Sequence, residues 1–99
     1  MPTHEEDSAF MRDFRGLTAE QRQQFLRARD KMVEDLRRIE GGERTGYRSG
    51  LVKKLHARRD LYELRWAPDG RATFSIGSSR RPGVIHIRWH RCGTHDMLP

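Results

Sequence analysis

Glu63, Arg65, Arg71, Thr73, His86, Arg88 and His90 stand at alternate positions of short stretches whose remaining positions are largely apolar. Alternate side chains of an extended strand share one face. The spacing therefore gathers two histidines, three arginines and a carboxylate on one surface. Such a set suits chemistry on RNA. Cleavage by RNA's own 2′-hydroxyl needs a base to take the hydroxyl proton, cations to stabilise the phosphate transition state, and an acid to protonate the leaving oxygen. Glu63, His86 or His90 can be the base, Arg65 and Arg71 can hold the phosphate, and His90 or His95 can be the acid. The sequence confines no histidine to one of these roles. Each residue alone also fits the solvent side of an ordinary antiparallel sheet, where opposite charges pair across strands. The recurrence of the set, not any one member, carries the reading.

Other chemistries find less support. His86, His90, Cys92, His95 and Asp96 crowd the C-terminal end, and strict alternation would put His86, His90 and Cys92 on one strand face. A structural zinc site shows two tight ligand pairs, and only one H-x-C is present, so no metal is expected. Cys92 is expected to be a small buried residue. There is no Gly-rich phosphate loop and no G-x-S-x-G elbow, and no cofactor is implied. Trp66 and Trp89 fall on the apolar side of their stretches and are expected in the core.

The elements that must position these residues change character at Gly41-Gly42, from a helical period before it to a period of two after it. Thr18 and Gln21 form a capping box, and Phe25, Ala28, Met32, Val33, Leu36 and Ile39 follow on one helical face. Glu34–Arg38 and Lys31–Asp35 are i,i+4 pairs expected on its wet side. Phe10, Phe14 and Leu17 mark a shorter helix, with Ser8 as its cap and Gly16 at the junction. Residues 1–7 read as a short edge strand. In the second half, Leu61–Ala67 and Arg71–Gly77 flank the turn Ala67-Pro68-Asp69-Gly70, where Pro presets φ and Gly is free to take positive φ. A Gly bulge there would set Trp66 opposite Ala72, Leu64 opposite Phe74, and Tyr62 opposite Ile76. Val84–Arg91 is a further strand. Leu51–His56 is a weaker one, with Lys53 and Lys54 on opposite faces. The expected architecture is α+β: a two-helix hairpin on one face of a small, mostly antiparallel sheet of about four strands. One domain spans residues 1–99, with a helical half at about 8–40 and a sheet half at about 50–92.

Composition agrees with a small core and a basic surface. The chain carries a net charge of +6, with 17 Arg against 3 Lys. Arginine's planar fork grips phosphate bidentately, although a GC-rich coding sequence produces the same bias. No apolar run approaches the roughly 18 residues of a spanning helix. Cys92 is the one cysteine, so a disulfide scaffold is excluded. The first ten residues have neither a basic n-region nor an apolar h-region, and a cytoplasmic location is expected.

The stretches LYELRWAPDGRATFSIG and GVIHIRWHRCGTHDMLP resemble the RelE/ParE superfamily of bacterial type II toxin–antitoxin toxins. Within it they follow an actinobacterial-type pattern, ELxWAPDGRATF…HIxWxRxGTHD. The resemblance covers about residues 8–99. It implies two helices packed on an antiparallel sheet, and an activity as a ribosome-dependent mRNA endoribonuclease. The partners it implies are a cognate antitoxin, the ribosome and mRNA. The superfamily also contains DNA gyrase inhibitors that cleave nothing, and inactive RNA-binding relatives remain an alternative. By the resemblance, Arg71 matches the basic residue that contacts the scissile phosphate, Arg65 a polar catalytic position, and Glu63 a neighbouring one. Arg91 and His95 fall near the terminal basic cluster, and Lys53, Lys54 and Arg88 complete the expected RNA-binding set. Nuclease members often end on a tyrosine that stacks on the mRNA base, and this chain has Met97 and Leu98 there.

Overall fold

The computed structural model describes residues 2–43, 46–55, 60–77 and 83–94. Its elements are β1 (Thr3–Glu6), α1 (Ser8–Gly16), α2 (Ala19–Glu40), β2 (Val52–Lys54), β3 (Leu61–Arg65), β4 (Gly70–Gly77) and β5 (His86–Thr94). The strands form one five-stranded sheet in the order β1-β5-β4-β3-β2. The α+β architecture is the expected one, with a strand more than the four anticipated. The edge strand expected within residues 1–7 is β1, and it pairs parallel to β5, so the sheet is mixed.

The capping box is in place: Gln21 N donates to Thr18 Oγ1 at 3.1 Å, and Thr18 N donates to Gln21 Oε1 at 2.9 Å. Asp7, not Ser8, occupies the N-cap position of α1, and its side chain makes no cap hydrogen bond. Phe25, Ala28, Met32 and Leu36 are buried, whereas Val33 and Ile39 are only half-buried. Phe25 meets Phe10 and Trp89 with ring centroids 5.6 and 5.3 Å apart, and Trp89 meets Phe74 at 5.1 Å. This aromatic column joins both helices to the middle of the sheet, and aromatic rings supply much of the buried area in so small a core.

Asp35 is not on the wet side of α2. It is fully buried, and its carboxylate accepts from Arg48 Nε at 3.2 Å, Arg48 N at 3.0 Å and Arg38 Nη2. Glu34 pairs with Arg48 at 2.9 Å rather than with Arg38. Burial pushes the Asp35 carboxyl up, but the bonds from Arg48 and then Arg38 outweigh it and hold the group below the ordinary carboxylate value. A buried carboxylate with so many donors stays ionised.

The β3–β4 hairpin is two residues out from the expected register. Leu64 lies opposite Ala72, Tyr62 opposite Phe74, and Glu63 opposite Thr73. A shift of two preserves the faces, so the apolar and polar sets are those expected. The cause lies in the turn. Gly70 N donates to Ala67 O at 3.1 Å, and Trp66 N donates to Gly70 O at 3.2 Å, so the ladder closes on the Trp66/Gly70 pair. Gly70 does not take positive φ. It is needed for space, because a Cβ there would lie 2.5 Å from the Trp66 ring.

Candidate functional site

The face of the sheet away from the helices is built in rows by strand register. One row runs Arg65, Arg71, Gly93, the next Lys53, Glu63, Thr73, Arg91, and a third Leu61, Ser75, Arg88, Glu5. Between the last two rows the β4–β5 register shifts. Thr73 faces Arg91 while Phe74 faces Trp89, which leaves His90 as an extra residue on β5. This β-bulge breaks the alternation that the sequence implies. Trp89 and Cys92 both turn inward, at 2% and 1% exposure. Cys92 is therefore buried as expected and does not share a face with His86 and His90. Burial pushes its thiol up to about 12. Bulges often re-aim side chains beside functional sites, and this one keeps His90 on the polar side and adds Arg91 to it.

Arg71 and Glu63 form the first pair on this face, with Nε 2.7 Å from Oε1. The Nε–H is not aligned on the oxygen, so the contact is an ion pair and not a hydrogen bond. Arg71 Nη1 donates to the turn carbonyls of Ala67, Pro68 and Gly70 at 3.2, 3.2 and 2.8 Å. The guanidinium is thus fixed over the turn, with the Arg71 and Glu63 side chains each 16% exposed. Arg65, directly across from Arg71, is exposed and has no ion pair among the described residues. It borders a concavity of about 250 Å³ with Arg27 and Lys31 of α2.

His90 is the centre of the second group. Its Nδ1 lies 2.7 Å from Asp7 Oδ2 and its Nε2 lies 2.8 Å from Ser75 Oγ. Arg88 Nε donates to the other Asp7 oxygen, Oδ1, at 2.6 Å. The hydrogen bonds from His90 and then Arg88 hold the Asp7 carboxyl below its ordinary value. His86, expected on the open face, is buried at 9% exposure. Its Nδ1 is 2.7 Å from Thr3 Oγ1 and its Nε2 is 3.4 Å from Glu5 Oε1, so strand β1 occupies both ring nitrogens.

Among the remaining candidates, Arg91 Nε donates to Asp13 Oδ2 at 2.7 Å, and the same oxygen accepts from Cys92 N at 3.0 Å. Asp13 thereby closes the β5 edge beyond the end of β1. Lys53 and Lys54 are both exposed, Lys53 beside Glu63 on the polar face and Lys54 on the opposite one. His95 lies outside the described residues. The structure thus brings Glu63, Arg71, His90 and Ser75 onto one face, and His86 stands on the same face in the Gly77–His86–Thr3 row, but buried and with both ring nitrogens engaged by Thr3 and Glu5. Asp7 was not legible as a member. An Asp before a helix reads as a cap, and only the parallel β1–β5 pairing carries it to His90.

No protein-family model matches the sequence, and no curated protein matches it. Solved structures do. A chain of the archaeal RelE–RelB complex from Pyrococcus horikoshii OT3 superposes with a TM-score of 0.58 at 20% identity, covering 98% of each chain. A chain of the DinJ–YafQ complex of E. coli gives 0.60 at 16% identity, covering 99% of this chain and 98% of that one. A chain of the RelB–RelE antitoxin–toxin complex from Methanococcus jannaschii gives 0.57 at 13% identity, covering 95% and 98%. These matches span both helices and the whole sheet, and the chain has the fold of the RelE-type toxins.

Proposed function

We propose that this chain is the toxin of a toxin–antitoxin pair and an endoribonuclease that cuts mRNA on the ribosome. The observation that carries the reading is the presence, on one polar sheet face, of a guanidinium fixed over the turn and a hydrogen-bonded imidazole. Arg71 presents a cation to a phosphate, and His90 presents a base to a hydroxyl. Glu63, beside Arg71, is a second group able to move a proton, and the exposed Arg65 and Lys53 add positive charge to the same face, while Arg88 and Arg91 are held in ion pairs with Asp7 and Asp13. Preorganised donors of this kind stabilise the charge that develops on a phosphorane, and a positioned base adds about 10²–10⁴-fold. A protein that only blocks another protein needs no proton-transfer groups. The neighbours in structure are chains of complexes with RelB and DinJ, which supports a cognate antitoxin as partner. A net charge of +6 suits an acidic antitoxin segment and an RNA surface alike.

Primer extension on total RNA after brief induction tests the reading. New 5′ ends inside translated regions are expected. Intact transcripts together with accumulating DNA breaks would place the chain with the gyrase inhibitors.

A further inference from the structure

Asp7, His90 and Ser75 form an unbroken hydrogen-bonded line from the end of β1 across β5 to β4, with spacings of 2.7 and 2.8 Å. A carboxylate only accepts, so the proton of a neutral His90 imidazole sits on Nδ1 and is donated to Asp7. The lone pair of Nε2 is then aimed at the Ser75 hydroxyl on the open face. The His90 and Asp7 side chains are 29% and 28% exposed, so a substrate can reach the ring.

We propose that Asp7, His90 and Ser75 are the proton-transfer site for RNA, with His90 the catalytic base and Asp7 the positioning residue that fixes its tautomer. This rests on the endoribonuclease reading above and adds to it the carboxylate that orients its base. An RNA 2′-hydroxyl takes the place of the Ser75 hydroxyl as donor to Nε2. Its proton passes to Nε2 as the 2′-oxygen bonds to phosphorus. The bond from phosphorus to the 5′-oxygen breaks, that oxygen takes a proton from water, and His90 returns its proton to the hydroxide left behind. The products are a 2′,3′-cyclic phosphate and a 5′-hydroxyl.

Arg88 makes the positioning role testable. It donates to Oδ1 of Asp7, while His90 uses Oδ2. In Asp7→Asn, Arg88 retains the carbonyl oxygen and turns the amide NH2 toward His90. Nδ1 must then accept, the proton moves to Nε2, and the base is blocked with the ring still in place. Imidazole ¹⁵N shifts of the full chain report the tautomer, and cleavage of a defined mRNA on programmed bacterial ribosomes reports rate. For the unsubstituted protein we expect a protonated Nδ1 and cleavage. For Asp7→Asn we expect a proton on Nε2, a kcat lower by about 10²-fold or more, and a KM within about threefold, since proton transfer and not binding is removed. An unchanged tautomer in Asp7→Asn overturns the proposal. So does a switched tautomer with unchanged kcat, which leaves the nuclease reading standing. No cleavage by the unsubstituted protein overturns both.

Discussion

At the scale of single residues, one side chain can hold the fold and the proposed reaction together. Arg71 bridges three turn carbonyls and Glu63, so its loss reaches beyond chemistry. Arg71→Ala is expected to cut mRNA cleavage by about 10²–10³-fold and also to lower the melting temperature. Arg71→Lys restores the charge without the fork, and is expected to recover little of either. Cleavage rates measured beside thermal melts separate the two effects, and full cleavage by a folded Arg71→Ala protein would remove Arg71 from the site. Asp35 is the contrasting case, a buried carboxylate remote from the polar face. Replacing its charge in Asp35→Asn weakens several charge-assisted hydrogen bonds and is expected to cost about 2 kcal/mol in stability. Urea titration reads that cost, and cleavage per folded molecule should not change.

At the scale of elements, two glycines of similar appearance in the sequence have opposite roles. Gly70 closes the β3–β4 turn under the Trp66 ring, with no room for a Cβ. Gly70→Ala is expected to destabilise by about 1–3 kcal/mol through overpacking. Gly16 ends α1, and a Cβ at that position would meet nothing within 4 Å. Gly16→Ala should be neutral or stabilising by up to about 1 kcal/mol, through helix propensity and a less free unfolded chain. Equal effects in denaturant melts would show that Trp66 yields readily. The bulge at His90 is the other device at this scale, because it lets one strand turn Trp89 and Cys92 inward while His90 and Arg91 face outward.

At the scale of the whole molecule, a few carboxylates tie separate parts of the chain together. Asp7 and Asp13 bind the β1–α1 segment to β5, Asp35 binds α2 to Arg48, and Glu40 accepts from Ile85 N at 2.7 Å. All four are held below their ordinary values: Asp7 by the His90 bond, the others by hydrogen bonds that outweigh burial. A carboxylate depressed in the folded state stabilises it above the unfolded pKa, and that contribution fades as the pH falls through the folded one. Stability should therefore be held at neutral pH and decline from about pH 4 downward. Melting temperatures measured from pH 7 to pH 2 check this, and a flat profile contradicts it. Under the proposed function, a cognate antitoxin that binds the folded state should raise the melting temperature by mass action.

Local spacing was enough for whatever depends on neighbours along the chain. The capping box of α2, its buried stripe from Phe25 to Leu36, and the polar and apolar sides of β3 and β4 follow from it, and each is in the structure. The fold class followed from them, since amphipathic helices and strands have few ways to bury one face each. Packing between distant segments set the rest. Periodicity gave Asp35 to solvent, but the backbone and guanidinium of Arg48, thirteen positions on, give it a buried place. Strict alternation set Cys92 beside His90, and the register of β4 against β5 separated them. Asp7 and His90 lie 83 positions apart. No local pattern joins them, because the pairing energy that does so resides in the parallel β1–β5 ladder.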